Sequence, residues 1–185
     1  MEVCNTLNYI DETKNETKNE NTENTENTKN AEYNEDEFIK SNNLLFKKKY
    51  DSFKEYRHLY TNEQIMNNIC YVEKNNLIIQ YGFFKKFGNK TNYDIITRHI
   101  VNNIDSILRQ YDLINVHFSL HKMDLLDLEK HYDFLLCICK LMQTSYPDKL
   151  NKFNIYQPPF IYSKIYSIIS TFIDKTTRSR IKLVE

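Results

Sequence analysis

Hydrophobic residues along the chain recur either at helical spacing or in short runs of strand length. Where apolar positions repeat at intervals of three and four between polar ones, the pattern predicts amphipathic helices. Thr91 is the expected N-cap of one long helix, and Asp124 or Asp127 is the expected N-cap of the next. The helices are predicted at residues 35–59, 62–72, 91–111, 124–142 and 161–173.

Short β-branched and aromatic runs separate most of these helices and end in polar or proline-containing turns. Runs of this kind are typical of strands. Strands that alternate with helices build right-handed crossovers and a mainly parallel sheet. The sequence therefore predicts an α/β fold, with a four- to five-stranded, mainly parallel sheet and helices packed on it. The strands are predicted at residues 76–84, 113–120, 152–157 and 180–184.

Composition narrows the classes of function. The chain has 185 residues, which is enough for one domain and an appendage. Its two glycines, Gly82 and Gly88, cannot supply the glycine-rich loops of dinucleotide or Walker-type phosphate sites. The sequence has no Gly-x-Ser-x-Gly elbow, and His117 and His121 have no third ligand at metal spacing. Nucleotide, metal and serine-nucleophile enzymes are therefore not predicted.

Signals for secretion and for membrane insertion bear on where in the cell the protein is expected. The four cysteines have no paired spacing, and the first ten residues do not resemble a secretory signal. Charged or amide residues interrupt every apolar run before it reaches the length of a membrane span. We expect a cytoplasmic protein that visits membrane surfaces transiently.

Charge is distributed unevenly along the chain. Residues 1–37 contain eleven acidic residues and three lysines, a net charge of −8, so the remainder carries +8. Between Asp11 and Asn34 the sequence cycles through Asn, Thr, Glu and Lys with almost nothing to bury, which predicts disorder. A basic body is attracted to anionic lipid surfaces, phosphorylated ligands or nucleic acid, although surface lysines and arginines also serve solubility alone.

Three motifs follow one another in the last forty residues. Residues 146–150 are Tyr-Pro-Asp-Lys-Leu, residues 157–159 are Gln-Pro-Pro, and residues 174–181 are Asp-Lys-Thr-Thr-Arg-Ser-Arg-Ile. They resemble the Tyr-Pro-Glu-Arg-Leu-like turn, the Asn-Ala-Pro turn and the Leu-Asp-x-x-Thr-x-x-Lys-Ile ending of CRAL-TRIO lipid-binding domains, the family of the secretory phosphatidylinositol transfer proteins. The resemblance extends over roughly residues 72–185.

The resemblance also implies a division of the chain. Residues 1–37 would be an acidic, disordered tail, and residues 38–72 would be vestigial N-terminal helices. Residues 73–185 would form a CRAL-TRIO-like lipid-binding domain that is short at its carboxyl end.

Members of this family bind a ligand and do not make or break bonds. The resemblance therefore implies no enzyme, no cofactor apart from a bound lipid, and a pocket for one hydrophobic molecule, a phospholipid such as phosphatidylinositol. A mobile lid, helix 161–173, would open at an anionic membrane. The expected pocket and lid residues are Phe160, Ile161, Tyr162, Ile165, Tyr166, Ile169, Phe172 and Ile173.

Three further residues stand where phosphoinositide-binding members hold the head group. Thr177 and Arg180 match the Thr and Lys that contact the phosphate, and Asp148 matches the Glu that orients the cation. A hydroxyl and a forked guanidinium are suitable donors for phosphate. The residues alone are also compatible with a surface ion pair and a helix-capping threonine.

A second hypothesis is a scaffold of the same fold that binds a protein partner, for example a small GTPase, and carries no lipid. In that case bulky side chains would fill the pocket. A third is a partial domain that needs a partner chain. Binding to nucleic acid is not favoured, because no interleaved aromatic and basic sheet motif occurs. The side chains that could fill the pocket are Phe83, Phe84, Phe118, Phe134, Tyr156, Phe160, Tyr162 and Tyr166.

Overall fold

The computed structural model describes residues 34–173 and 175–184. Most of the predicted acidic tail, residues 1–33, lies outside this part of the chain. No helix in the described part is both long and apolar enough to cross a bilayer. The helices are α1 (Glu35–Tyr56), α2 (Asn62–Ile69), α3 (Tyr81–Phe87), α4 (Tyr93–Leu108), α5 (Leu125–Lys130), α6 (Tyr132–Ser145), α7 (Tyr162–Ile169) and α8 (Lys175–Ser179).

Five strands form one sheet in the order in which they occur along the chain. The first two pair antiparallel, and every later neighbour pairs in parallel. The predicted α/β class, with a mainly parallel sheet and packed helices, is confirmed. The strands are β1 (Cys70–Glu73), β2 (Asn76–Gln80), β3 (Ile114–Ser119), β4 (Leu150–Tyr156) and β5 (Ile181–Val184).

The start of the sheet differs from the prediction. Helix α2 ends at Ile69 instead of continuing to residue 72, and β1 follows it and turns back into β2. Lys74 takes a φ of 57° in this turn. The predicted strand 76–84 stops at Gln80, and its last residues begin α3. Residues 81–84 are all buried, and an apolar run buried on every side has no period that distinguishes helix from strand.

Several helix ends also differ. The predicted helix 124–142 is two helices that meet at His131, and Asp124 caps the first of them by exchanging hydrogen bonds with Asp127. The cap of α4 is Asn92, while Thr91 binds the side chain of Asn89. The predicted helix 161–173 ends at residue 169, and α8 follows it.

Helix α1 packs on one face of the sheet. Its Phe46 is 1% exposed and meets the ring of Tyr156 edge to face at 5.0 Å, and burying such a side chain contributes about 1.5 to 3 kcal/mol. At the amino end of the helix, Glu35 forms an ion pair with Lys152 of β4. Near its middle, the carboxamide oxygen of Asn43 accepts from the Gln157 side chain at 2.7 Å.

A ladder of polar side chains crosses the sheet beneath α1. His117 of β3 shares a hydrogen bond of 2.7 Å with the Tyr156 hydroxyl and one of 3.2 Å with the Asn76 carboxamide oxygen. The Asn115 amide donates to that same oxygen at 3.1 Å. Since each of these strands turns alternate residues to the opposite face, the side chains between the ladder positions face the other helices.

The other face of the sheet carries the largest core. Here α4 turns Ile96, Ile100 and Ile104 toward Leu77 of β2 and Val116 of β3. Helices α6 and α7 cover the rest of this face, and partly buried side chains of α6 meet the same core. The chain therefore has three layers, with α1 on one side of the sheet and α4, α6 and α7 on the other.

We expect Gly82→Ala to destabilise the fold by about 1 to 3 kcal/mol, because a Cβ at Gly82 of α3 would overlap the ring of Tyr50 of α1, with its Cε2 at 2.7 Å. In a Tyr50→Ala background the same change should cost much less. Urea unfolding of the two single variants and the double variant measures the coupling. Additive costs would contradict this packing.

We also expect stability to fall in acid through His117. Its pKa is lowered from 6.5 to about 4, chiefly by burial, while Glu35 opposes the shift and Lys152 adds to it. The unfolded chain therefore takes up a proton below pH 6.5 that the folded chain resists. Between pH 7 and pH 4.5, His117→Gln should lose about 2 to 3 kcal/mol less stability than wild type. Chemical denaturation across this pH range measures the difference, and the exposed His58→Gln should follow wild type.

Candidate functional site

A cavity of about 370 Å³ lies between the sheet and the helices on the face opposite α1. Its floor is formed by β2, β3 and β4, and its walls by α4, α6 and α7. Most lining side chains are apolar, so the cavity offers little to a strongly hydrated molecule. Representative lining residues are Leu77, Val116, Phe153, Ile104, Ile138 and Ile169.

Helix α6 shows how the cavity arises. Its apolar residues repeat at helical spacing, yet none of its residues is fully buried. Phe134, Ile138 and Met142 are half-buried and line the cavity. An amphipathic helix normally buries its apolar stripe in a dry core. Here the stripe borders open volume, so its burial is incomplete without a ligand.

Helix α7 closes one side of the cavity with part of the predicted lid. Ile165 and Ile169 are buried and line the cavity, and Phe172 and Ile173 line it beyond the end of the helix. Ile161 is buried against Leu120, Leu128 and Ile155 instead. The rings of Tyr162 and Tyr166 contact each other with their centroids 6.0 Å apart and do not line the cavity, and Phe160 is 90% exposed. The predicted set is therefore split between cavity wall, core and surface.

The predicted head-group residues lie where the parallel strands begin. Asp148 and Thr177 both line the cavity, in the loop before β4 and in the helix before β5. Asp148 is exposed and has a φ of 60°. The Arg180 guanidinium donates to the carbonyl oxygen of Leu150. Within the described residues Asp148 does not form an ion pair with Arg180, and its expected role in orienting the guanidinium stays a prediction.

Polar side chains also lie where the strands end. Tyr81 follows β2, and His131 stands between α5 and α6; both line the cavity and are only 3% and 4% exposed. The Nδ1 atom of His131 shares a hydrogen bond of 2.7 Å with the Tyr93 hydroxyl. Ring contacts with Phe84 hold this group together, since Phe84 lies 4.8 Å from the His131 ring and 6.2 Å from that of Tyr93.

The sequence analysis missed this second polar end. It placed Tyr81 inside a strand and gave His131 no role. One available signal was the rule that ligands of open α/β sheets bind beyond the carboxyl ends of parallel strands, since Tyr81 follows a predicted strand. No sequence signal marks His131, because the helix break that places it depends on packing.

An ion-pair cluster lies behind Tyr81. The Lys85 ammonium contacts Asp127 at 2.7 Å and Asp124 at 3.3 Å. Burial, followed by the negative charge of Asp127, raises the pKa of Tyr81 well above its usual value. Burial and the neighbouring Lys130 lower the pKa of His131. Both cavity-lining side chains are therefore uncharged at neutral pH.

The cavity wall also carries a thiol. Burial raises the pKa of Cys139 to about 11, so this thiol stays protonated and is a poor nucleophile. In the part of the chain that the structure describes, no three His, Cys, Asp or Glu side chains group closely enough to hold a metal ion. The arrangement offers apolar surface and hydrogen-bonding groups to a ligand.

Comparison with known proteins identifies the family. The model of the CRAL/TRIO domain matches residues 63–185, which is more than half of the chain. The chain belongs to the CRAL/TRIO domain family. The resemblance seen in the motifs at 146–150, 157–159 and 174–181 is thereby confirmed.

A solved structure supports the same fold. The crystal structure of Sfh5 superposes on this CRAL/TRIO chain with a TM-score of 0.56 and 16% sequence identity. The match covers 69% of this chain and 50% of Sfh5, so the chain spans about half the length of that protein. No curated protein sequence matches the chain.

Proposed function

We propose that this CRAL/TRIO chain binds a single hydrophobic molecule in the cavity between its sheet and helices α4, α6 and α7. The observation that carries the proposal is an apolar cavity of about 370 Å³ inside a folded domain. This volume falls within the range of small-molecule sites. A bound molecule would complete the burial of the apolar side chains of α6. Binding would therefore gain the hydrophobic free energy of removing that surface from water.

The open volume favours this proposal over the protein scaffold. The scaffold hypothesis requires bulky side chains to fill the pocket. Phe84, Phe118 and Phe134 do line the cavity, but they leave it open. Tyr156 packs under α1 on the other face of the sheet, and the exposed Phe160 points elsewhere.

We assign the entry route to α7. This helix has eight residues and supplies one wall of the cavity through Ile165 and Ile169. Two prolines, Pro158 and Pro159, precede it, and its carboxyl end is held by a hydrogen bond of 2.6 Å from Arg178 to the Ser170 carbonyl. Swinging this short helix outward would open the cavity. The exposed Phe160 at its amino end would then enter a bilayer that the basic body of the chain approaches.

The finer proposal is that the ligand is a phospholipid such as phosphatidylinositol. Thr177 and Asp148 line the amino end of the cavity, and Arg180 lies just before β5 in the same region. A head-group phosphate there would accept a hydrogen bond from the Thr177 hydroxyl and attract the Arg180 guanidinium. Its acyl chains would extend along the apolar floor.

Filling the cavity should abolish ligand uptake without unfolding the protein. We expect Ile138→Trp on α6 to reduce lipid uptake at least tenfold, because the larger ring occupies open volume on the cavity wall. The measurement is native mass spectrometry after incubation with liposomes of phosphatidylcholine and phosphatidylinositol.

The matched control is Ile95→Trp on α4, whose side chain is 52% exposed and does not line the cavity. It should bind lipid as wild type does. Equal uptake by both tryptophan variants, or a wild-type protein that stays empty, would overturn the proposed function.

Thr177→Ala should weaken binding of phosphatidylinositol about tenfold, the effect of losing one hydrogen bond to a charged group. Binding of phosphatidylcholine to the same variant reports on the cavity itself and should change less. Thr176→Ala is the matched control, because Thr176 is the exposed neighbour in α8. Unchanged phosphatidylinositol affinity in Thr177→Ala would contradict the head-group assignment and leave the cavity proposal standing.

A further inference from the structure

Two buried polar atoms at the cavity have no hydrogen-bond partner. They are the hydroxyl oxygen of Tyr81 and the Nε2 atom of His131. Both side chains are more than nine-tenths buried and line the cavity. Buried polar groups in folded proteins are nearly always hydrogen-bonded, since leaving one unpaired is costly. Because both side chains line the cavity, an oxygen of a bound molecule can supply the missing partner once the surrounding side chains adjust to it.

The hydrogen bonds around His131 restrict what that occupant can be. Its Nδ1 atom is paired with the Tyr93 hydroxyl at 2.7 Å, which leaves Nε2 for the ligand. If Tyr93 donates, Nε2 carries the proton and donates in turn; if Nδ1 donates, Nε2 accepts. A carbonyl oxygen suits the first arrangement together with the Tyr81 hydroxyl. An alcohol suits both, because it can accept from one group and donate to the other.

Charge excludes an anionic group at this position. Asp127 and Asp124 lie behind Tyr81 and share a single close cation, Lys85. Burial raises the pKa of Tyr81 and Asp127 raises it further, although no hydrogen bond of ordinary geometry joins the two side chains. A carboxylate or phosphate placed against Tyr81 would meet the negative charge of Asp127, whose side chain is only 11% exposed. The end of the ligand that reaches Tyr81 must therefore be uncharged.

The pair lies at the far end of the cavity from the predicted head-group residues. Tyr81 follows the carboxyl end of β2, whereas Asp148 and Thr177 precede the amino ends of the parallel strands β4 and β5. Strand β4 has seven residues, so about 20 Å separates the two edges of the sheet. The two polar ends are thus distinct sites joined by the apolar floor.

We propose that the Tyr81 hydroxyl and the His131 Nε2 atom form a hydrogen-bonding subsite that takes an uncharged hydroxyl or carbonyl oxygen of the bound hydrophobic molecule. The proposal rests on the function proposed above and adds a chemical class to it. The preferred occupant is a lipid with a neutral oxygen on the part that reaches the carboxyl edge of the sheet. A pure hydrocarbon leaves both atoms unpaired, and a fatty carboxylate cannot place its charged group there.

The test compares dodecanol, dodecane and dodecanoate as competitors of an apolar fluorescent probe in wild-type protein and in Tyr81→Phe. The substitution removes one oxygen and keeps the ring. We expect the ratio of dodecanol to dodecane affinity to fall about threefold to tenfold in Tyr81→Phe, the effect of one neutral hydrogen bond. Dodecanoate affinity should be the same in both proteins.

Tyr146→Phe is the matched control, because Tyr146 also lines the cavity but donates its hydroxyl to Asp105 at 2.8 Å. It should leave the affinity ratio unchanged and lower the thermal midpoint. Tyr81→Phe should lower that midpoint less than Tyr146→Phe does, since the Tyr81 hydroxyl forms no hydrogen bond of ordinary geometry. This difference also separates a binding role of Tyr81 from a structural one.

Each outcome decides between the proposals. If the ratio falls in Tyr81→Phe alone, the subsite is supported. If wild-type protein binds both neutral probes but the ratio is unchanged in Tyr81→Phe, or falls equally in Tyr146→Phe, the subsite is wrong and hydrophobic binding stands. If none of the three probes displaces the fluorescent probe from wild type, the function proposed above fails and the subsite with it.

Discussion

Both faces of the parallel strands β2 to β5 must be shielded from water, and α1 is the element that shields one of them. Phe46 packs on Tyr156, and the helix buries the polar ladder centred on His117, whose side chains hydrogen-bond one another in place of water. The ion pair of Glu35 with Lys152 joins the first residue of the helix to β4. Since one face is closed in this way, the other can remain incompletely filled while the sheet stays intact.

The cavity follows from that unequal covering. On the other face of the sheet, α4 buries Ile96 and Ile107 completely, whereas the apolar residues of α6 border the cavity. A void in an apolar core forfeits packing contacts on every wall. An apolar ligand would restore those contacts. The same hydrophobic side chains would therefore stabilise the fold of this CRAL/TRIO chain and bind the proposed ligand.

The two ends of the cavity differ in chemistry because they lie at opposite edges of a parallel sheet. At the amino edge, Thr177 and the exposed Asp148 lie beside a cation, Arg180, and suit a charged and partly hydrated group. At the carboxyl edge, Tyr81 and His131 are buried and uncharged. In the proposed binding mode, a ligand along the floor would meet a polar, accessible end and a neutral, enclosed one, and this difference would orient it.

The sequence by itself determined the elements whose pattern is local. The short apolar runs between amphipathic helices predicted the fold class, and the motifs at 146–150, 157–159 and 174–181 predicted the family, since each of these patterns depends on neighbours within a few residues. Only the tertiary structure showed the end of the cavity at which Tyr81 and His131 lie. His131 meets Tyr93 across 38 positions of the chain, and the helix break that places it depends on packing. Contacts between distant residues leave no local period, so the pairing of Tyr81 with His131 arises only when the sheet and helices assemble.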